Sequence, residues 1–237
     1  MANMTTDTSN TPLTVISSMA TRRVLTQLAQ AYEAASGLPV SIVSVGGVEA
    51  SRRIREGEHV DVVVLAAGAL EKLEHDGHIV TGSRVDVARS QIAVAVRRGA
   101  PRCDISTESA VRAAMLNART IGYSTGPSGT HIVNLLHRWG LADDFANRIV
   151  EAPPGVPVAS LIAEGKAEIG FQQLSELVDE PGIDVSGVLP AAIQAVTVFS
   201  AAICSTSQRH EEATAFLAHL ASHDGDEIKV RYGMTAV

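Results

Sequence analysis

Apolar residues in this chain come in short runs that end in small residues and lead into stretches with helical spacing. Leu13–Ile16 reads as a first strand. Arg22–Ala35 reads as a helix, because Val24, Leu25, Leu28, Ala29 and Tyr32 fall on one face. Gly37 ends it and Pro39 bars its continuation. Val40–Val45 is a second strand, and Val48–Glu56 a short helix stopped at Gly57. The apolar run Val60–Leu65 follows a turn and suits a buried strand, and Ala69–His75 is a helix ended by Gly77. This β-α-β-α-β-α order predicts an α/β fold with a parallel sheet and right-handed crossovers. Further strands are expected at Ser90–Val96, Thr120–Ser124, Glu168–Phe171 and Val196–Ile203. Helices are expected at Thr107–Asn117, His131–Trp139, Val158–Glu164, Leu174–Val178 and Glu211–Ala221, with a rigid loop over Ala152–Pro157. No internal repeat or low-complexity segment interrupts the pattern.

Four turns stand out at strand ends: Ser17-Ser18-Met19, Val45-Gly46-Gly47, Ala66-Ala67-Gly68 and Ser124–Thr130. A strand that ends in small residues and feeds a helix leaves free N–H groups at the helix start, where the dipole attracts anions. In open α/β sheets, ligands sit beyond the carboxyl ends of the strands. The pattern therefore predicts a cleft for a small oxyanion or carboxylate.

Composition narrows the alternatives. The 237 residues suffice for one large domain or two lobes. Only 3% are aromatic against 46% hydrophobic, so the core must be built from Val, Ala, Leu and Ile. The net charge of −7 is interspersed, and no basic run could track a phosphate backbone, which argues against a nucleic-acid partner. Cys103 and Cys204 are far apart and form no Cys-x-x-Cys motif, so both read as structural thiols. No segment approaches the ~20 apolar residues that span a bilayer, so no membrane insertion is expected. Met1–Pro12 is polar, with neither a basic nor an apolar leader region. It reads as a cytoplasmic start, or as that of a periplasmic protein if a leader was trimmed away.

The first strand with SSMATRRVLTQLAQAYEAASGLPV, then SVGG, then GEHVDVVVLAAGALEKLEHDGHI, resembles the first lobe of the type II periplasmic-binding-protein fold. IGYSTGPSGTHIVNLLHRWGL, AEIGFQQLSEL and FLAHLASHDGDEIKVRYGM resemble later motifs of its molybdate-receptor-like branch, which includes aconitate isomerases. The likeness runs from Leu13 to Met234. It implies two α/β lobes, residues 12–88 with 200–237 and residues 89–199, after a flexible tail over 1–11. Val87–Val96 and Val196–Ile203 would be the crossover strands, with ligand held between the lobes and closure by a hinge. Molybdate receptors place hydroxyls in the second turn, whereas Val45-Gly46-Gly47-Val48 has none. With no leader visible either, the resemblance implies an isomerase of a small unsaturated polycarboxylate such as aconitate. The alternative is a non-catalytic receptor of the ABC-transporter type for an oxyanion or organic acid.

Such an isomerase moves a proton across an allylic system and needs a base plus fixed donors for the charged intermediate, with no metal or cofactor required in principle. His131, at the start of a helix, and Glu49, just after the second turn, are the candidate bases. Ser17, Ser18, Met19, Gly46, Gly47 and Ala67 are expected to bind substrate from the first lobe. Ser124, Thr125, Ser128 and Thr130 would do so from the second, with Gln172 or Gln173 but not both, by strand alternation. Ser17 and Ser18 can equally serve as a helix cap. Among Arg22, Arg84 and Arg89, Arg89 at the hinge is the first choice to grip a carboxylate. His75-x-x-His78 is broken by Gly77 and has no third ligand, so no metal is expected. Neither a Gly-x-Ser-x-Gly elbow nor a Walker pattern is present. The protein is expected to be a monomer or weak oligomer.

Overall fold

The structure, a computed structural model, describes residues 11–153 and 155–237. All but the last residue of the tail expected over 1–11 lies outside the described residues. The chain opens with β1 (Leu13–Ser18), a 3-10 turn (Met19–Thr21), α1 (Arg22–Ser36), β2 (Val40–Val45), α2 (Gly47–Arg55), β3 (Val62–Ala66), α3 (Ala67–His75) and β4 (Val85–Arg97). It continues through α4 (Glu108–Asn117), β5 (Ile121–Ser124), α5 (Pro127–Arg138), α6 (Ala142–Phe145), β6 (Ile149–Ala152), α7 (Val158–Ala163), β7 (Ile169–Gln173), α8 (Leu174–Leu177) and β8 (Ile183–Val188). It closes with β9 (Val196–Ile203), α9 (His210–Ala221), α10 (Asp226–Arg231) and β10 (Met234–Thr235).

The strands run in the order β2-β1-β3-β9-β4-β7-β5-β6, with β8 and β10 also pairing to β4. Parallel pairing joins β1 with β2 and β3 in one half, and β5 with β6 and β7 in the other. β4 links the halves: Val85–Gln91 pairs with β9, and Ile92–Arg97 pairs with β7 or β8. The result is the expected two-lobed α/β fold.

Strand alternation builds a core on each face of each sheet. Val62 and Val64 pack with Leu25 and Phe216 on one face, while Val63 and Leu65 pack with Ile54 and Leu70 on the other. This two-sided burial explains the near-continuous apolar run of β3. In β4, Ile92, Val94 and Val96 face α4 and α5, whereas Ala93 and Ala95 face α7. The small face is needed because α7 lies close: a Cβ on Gly170 of β7 would come within 2.5 Å of Ile162.

Three strands and two helices fall outside the expected pattern because their runs are short or polar: β6, β8, β10, α6 and α10. The helices after the small turns also start early. α2 begins at Gly47, α3 at Ala67 and α5 at Pro127, so almost no loop separates strand from helix. Gly129 makes the third junction possible. It is buried, and a Cβ there would lie 1.6 Å from the Ser124 carbonyl oxygen. Gly129→Ala should therefore cost about 3 kcal/mol or more in urea unfolding, since backbone must move to admit it. Gly68→Ala, in the first turn of α3 with nothing within 4 Å of the added carbon, should be neutral or stabilising by up to about 1 kcal/mol.

Candidate functional site

A cleft of about 820 Å³ is lined by residues from both lobes, within the range of pockets for small organic ligands. All four small turns reach it. Ser18, Met19, Gly46, Gly47 and Ala67 border it from the first lobe, and Ser124, Thr125, Ser128, Thr130, His131 and Gln172 from the second. Gly46 and Ala66 are the N-cap residues of α2 and α3, so the free N–H groups of these helix starts lie at the cleft wall.

Three expected residues are placed elsewhere. Ser17 is fully buried, its hydroxyl 2.8 Å from that of Ser44 across the β1–β2 ladder. Glu49 does not border the cleft: two residues past Gly47, it is turned about 200° around α2. Arg52 holds both its oxygens, at 2.7 and 2.9 Å, and this guanidinium keeps the carboxyl below its usual range, which makes it a poor base. Arg89 is exposed on β4, between Val198 of β9 and Thr235 of β10. Arg84 pairs with Glu71 at 3.0 Å, also outside the cleft.

The cations that do border the cleft are Arg55 and Lys72. Gly47, Ser51 and Arg55 fall at i, i+4 and i+8 along one face of α2, and Gly68 and Lys72 are likewise four apart on α3. That spacing, counted onward from each small turn, is the signal that could have found them. Arg55 Nε lies 3.5 Å from Asp76 Oδ2, a loose surface pair that leaves the guanidinium available.

The second lobe supplies an imidazole, His131, and a carboxyl, Glu176. His131 Nε2 donates to the Ile193 carbonyl at 2.7 Å, which fixes the ring and leaves Nδ1 without a partner among the described residues. Both Gln172 and Gln173 border the cleft and are buried, contrary to strict alternation. Gln173 is the N-cap of α8, where the strand period ends. Its Nε2 donates to Thr197 Oγ1 at 2.8 Å, while its buried Oε1 has no partner among the described residues. Gln172 Oε1 accepts from the Val158 N–H at 3.1 Å, and its Nε2 donates to Glu176 Oε1 at 2.8 Å. Glu176, four residues on from Gln172, is a cleft residue absent from the sequence reading. Burial pushes its carboxyl up to about 7, against the lowering effects of the Gln172 hydrogen bond and the Arg22 charge, with Glu180 adding to the rise. Among the described residues no group of three or more His, Cys, Asp or Glu is placed to hold a metal, and no helix is long and apolar enough to cross a membrane.

With this geometry in place, comparison with known proteins is informative. The family model described as bacterial extracellular solute-binding protein matches residues 13–235. The chain belongs to this family. Within its molybdate-receptor-like branch, a curated aconitate isomerase from Pseudomonas sp is 39% identical over 220 residues, covering 90% of this chain and 84% of that protein. Among solved structures, the Azotobacter vinelandii periplasmic molybdate-binding protein superposes with a TM-score of 0.78 at 23% identity, over 95% of this chain and 99% of that one. A periplasmic thiamin binding protein gives 0.75 at 16% identity, over 94% and 81% of the two chains. At these identities the solved structures speak for the fold. This solute-binding-protein fold holds Glu176 at a cost. Between pH 4.5 and about 7 the folded chain retains a proton that the unfolded chain has lost, so Glu176 makes stability fall as pH rises. Glu176→Gln should be more stable than wild type above pH 7, by on the order of 2–3 kcal/mol, and the gain should vanish below about pH 4.5 in denaturant titrations.

Proposed function

We propose that this chain is an isomerase of a small unsaturated polycarboxylate, aconitate by its likeness to the Pseudomonas enzyme, working by a 1,3-proton shift in the cleft between its lobes. The observation that carries this reading is the division of the cleft walls. The first lobe presents two helix starts with Arg55 and Lys72, and the second presents a hydroxyl-rich turn with His131. Anchors for several carboxylates thus face groups that can move a proton.

In this reading Gly46, Gly47 and Ala67 offer backbone N–H groups, and Ser18, Ser124, Thr125, Ser128 and Thr130 offer hydroxyls, to the substrate carboxylates. Lys72 and Arg55 neutralise their charge. Fixed donors of this kind stabilise the extra negative charge of the allylic intermediate, which spreads onto carboxylate oxygen. His131, held through Nε2 by Ile193, transfers a proton through Nδ1.

A receptor reading is favoured by one observation, the four hydroxyls of the Ser124–Thr130 turn. Against it stands the hydroxyl-free turn at Gly46-Gly47, which leaves an oxyanion cage half built. Proton NMR of trans-aconitate with the protein in D2O should show cis-aconitate and deuterium uptake well above the blank. No conversion, together with tight molybdate binding by calorimetry, would replace the isomerase by the receptor. Within the isomerase reading, Lys72→Met should raise KM by about 10-fold with a smaller change in kcat. His131→Ala should lower kcat by about 100-fold. An unchanged KM in the first variant would remove Lys72 from the anchoring wall, and an unchanged kcat in the second would remove His131 from the chemistry.

A further inference from the structure

Glu176 occupies an unusual position. It lies on α8, a helix of 4 residues that packs against β4, β7, β8 and the Met19–Thr21 turn of the other lobe. The carboxyl therefore stands where the two lobes meet, at the cleft wall. It has no ion-pair partner among the described residues. The charged groups whose fields reach it are Arg22 at the start of α1 and Glu180 just past α8. Glu180 is itself engaged by Arg23 at 2.6 Å. From β4 the neighbour of α8 is Ser90, whose hydroxyl meets that of Ser175 at 3.4 Å. Arg55, Lys72 and His131 are the other titratable side chains bordering the cleft.

One oxygen of this carboxyl is fixed by a relay. The Val158 N–H holds Gln172 Oε1, which orients Gln172 Nε2 toward Glu176 Oε1. Oε2 is left without a hydrogen bond among the described residues. A half-buried carboxylate with one oxygen pinned, the other unpaired and a cleft in front of it is arranged for proton abstraction and not for structural pairing.

We infer that Glu176 is the base that takes the allylic proton, aimed by Gln172 as a positioning residue; this rests on the isomerase reading above. The proton leaves the methylene carbon for Oε2. The C–H electron pair becomes part of the new double bond. The old π pair shifts to the far carbon, which takes a proton from the protonated His131 ring. Glu176 is then protonated and His131 neutral, and exchange of both with water resets the site. Burial supports this role, because a carboxyl raised to about 7 is a stronger base than an exposed one yet still ionises near neutrality.

The test uses the full chain with trans-aconitate as probe. Glu176→Gln keeps an acceptor for Gln172 Nε2 and removes the base. Its kcat should fall by about 100-fold or more, while the dissociation constant for trans-aconitate by calorimetry stays within about threefold. Glu176→Asp should recover part of the rate. Gln172→Met removes a hydrogen bond that favours the ionised carboxyl, so the acid limb of the kcat/KM profile should move to higher pH. If wild type converts trans-aconitate and Glu176→Gln does so within about threefold, Glu176 is not the base and the isomerase reading stands. Loss of trans-aconitate binding in a folded Glu176→Gln protein would also overturn the inference, by making the carboxyl an anchor. An unmoved acid limb in Gln172→Met would overturn the positioning by Gln172. A wild type that gives neither conversion nor deuterium uptake would end both readings.

Discussion

The structure depends on one constraint: strands must pass into helices with almost no loop between them. A helix start carries free N–H groups that must find partners. At α3 the last strand residue, Ala66, is itself the N-cap; at α2 the N-cap Gly46 directly follows the last strand residue; and at neither does a capping side chain supply the hydrogen bond. Both starts lie at the same cleft, and so does the start of α5. The unsatisfied donors that would weaken a buried helix end become the binding surface for an anion. At α5 the junction demands a glycine, since a Cβ at Gly129 would strike the Ser124 carbonyl, whereas Gly46 and Gly68 have open space and leave the helix starts uncovered toward the cleft.

The second structural element on which the site rests is β4. It is 13 residues long, and its two halves belong to different hydrogen-bonded ladders. Register shifts fall at Asp86/Ala88 and at Val94/Ala95, on either side of the point where the strand changes partners. Bulges of this kind bend and twist a strand. Here they let a single strand serve two sheets whose carboxyl edges face one another. Arg23 on α1 adds a polar contact across the lobes, donating to the Val178 carbonyl and to Glu180 beyond α8.

Much of the fold was legible in the sequence because its signals are local. Apolar runs, the helix face of Val24, Leu25, Leu28, Ala29 and Tyr32, and the stops at Gly37 and Gly77 required no knowledge of distant contacts. β8 and β10 were not legible, since they are strands by virtue of pairing with β4 and carry little apolar pattern of their own. The site shows the same split. The four small turns announced the cleft, but the facing of individual side chains depends on where each helix begins. Starting α2 at Gly47 turns Glu49 outward to Arg52 and brings Arg55 to the cleft. Glu49 was expected at the site only because it follows the second turn, a nearness in sequence that says nothing of which way its side chain faces.

Glu176 illustrates why a site residue can escape a reading based on charge and motif. Nothing in Gln172-Gln173-Leu174-Ser175-Glu176 matches a catalytic signature, and an acid in a short helix ordinarily faces water. Its character comes from the elements packed around it, which remove much of its solvent while providing, among the described residues, one hydrogen bond and no ion pair. An arrangement that only served stability would pair this carboxyl with Arg22 or Arg23, both of which begin α1. Arg23 is instead spent on Val178 and Glu180, and Arg22 acts on Glu176 only through its field. The cost of the unpaired charge falls on the folded state above neutral pH, and a fold retains such a cost most readily where proton transfer uses it.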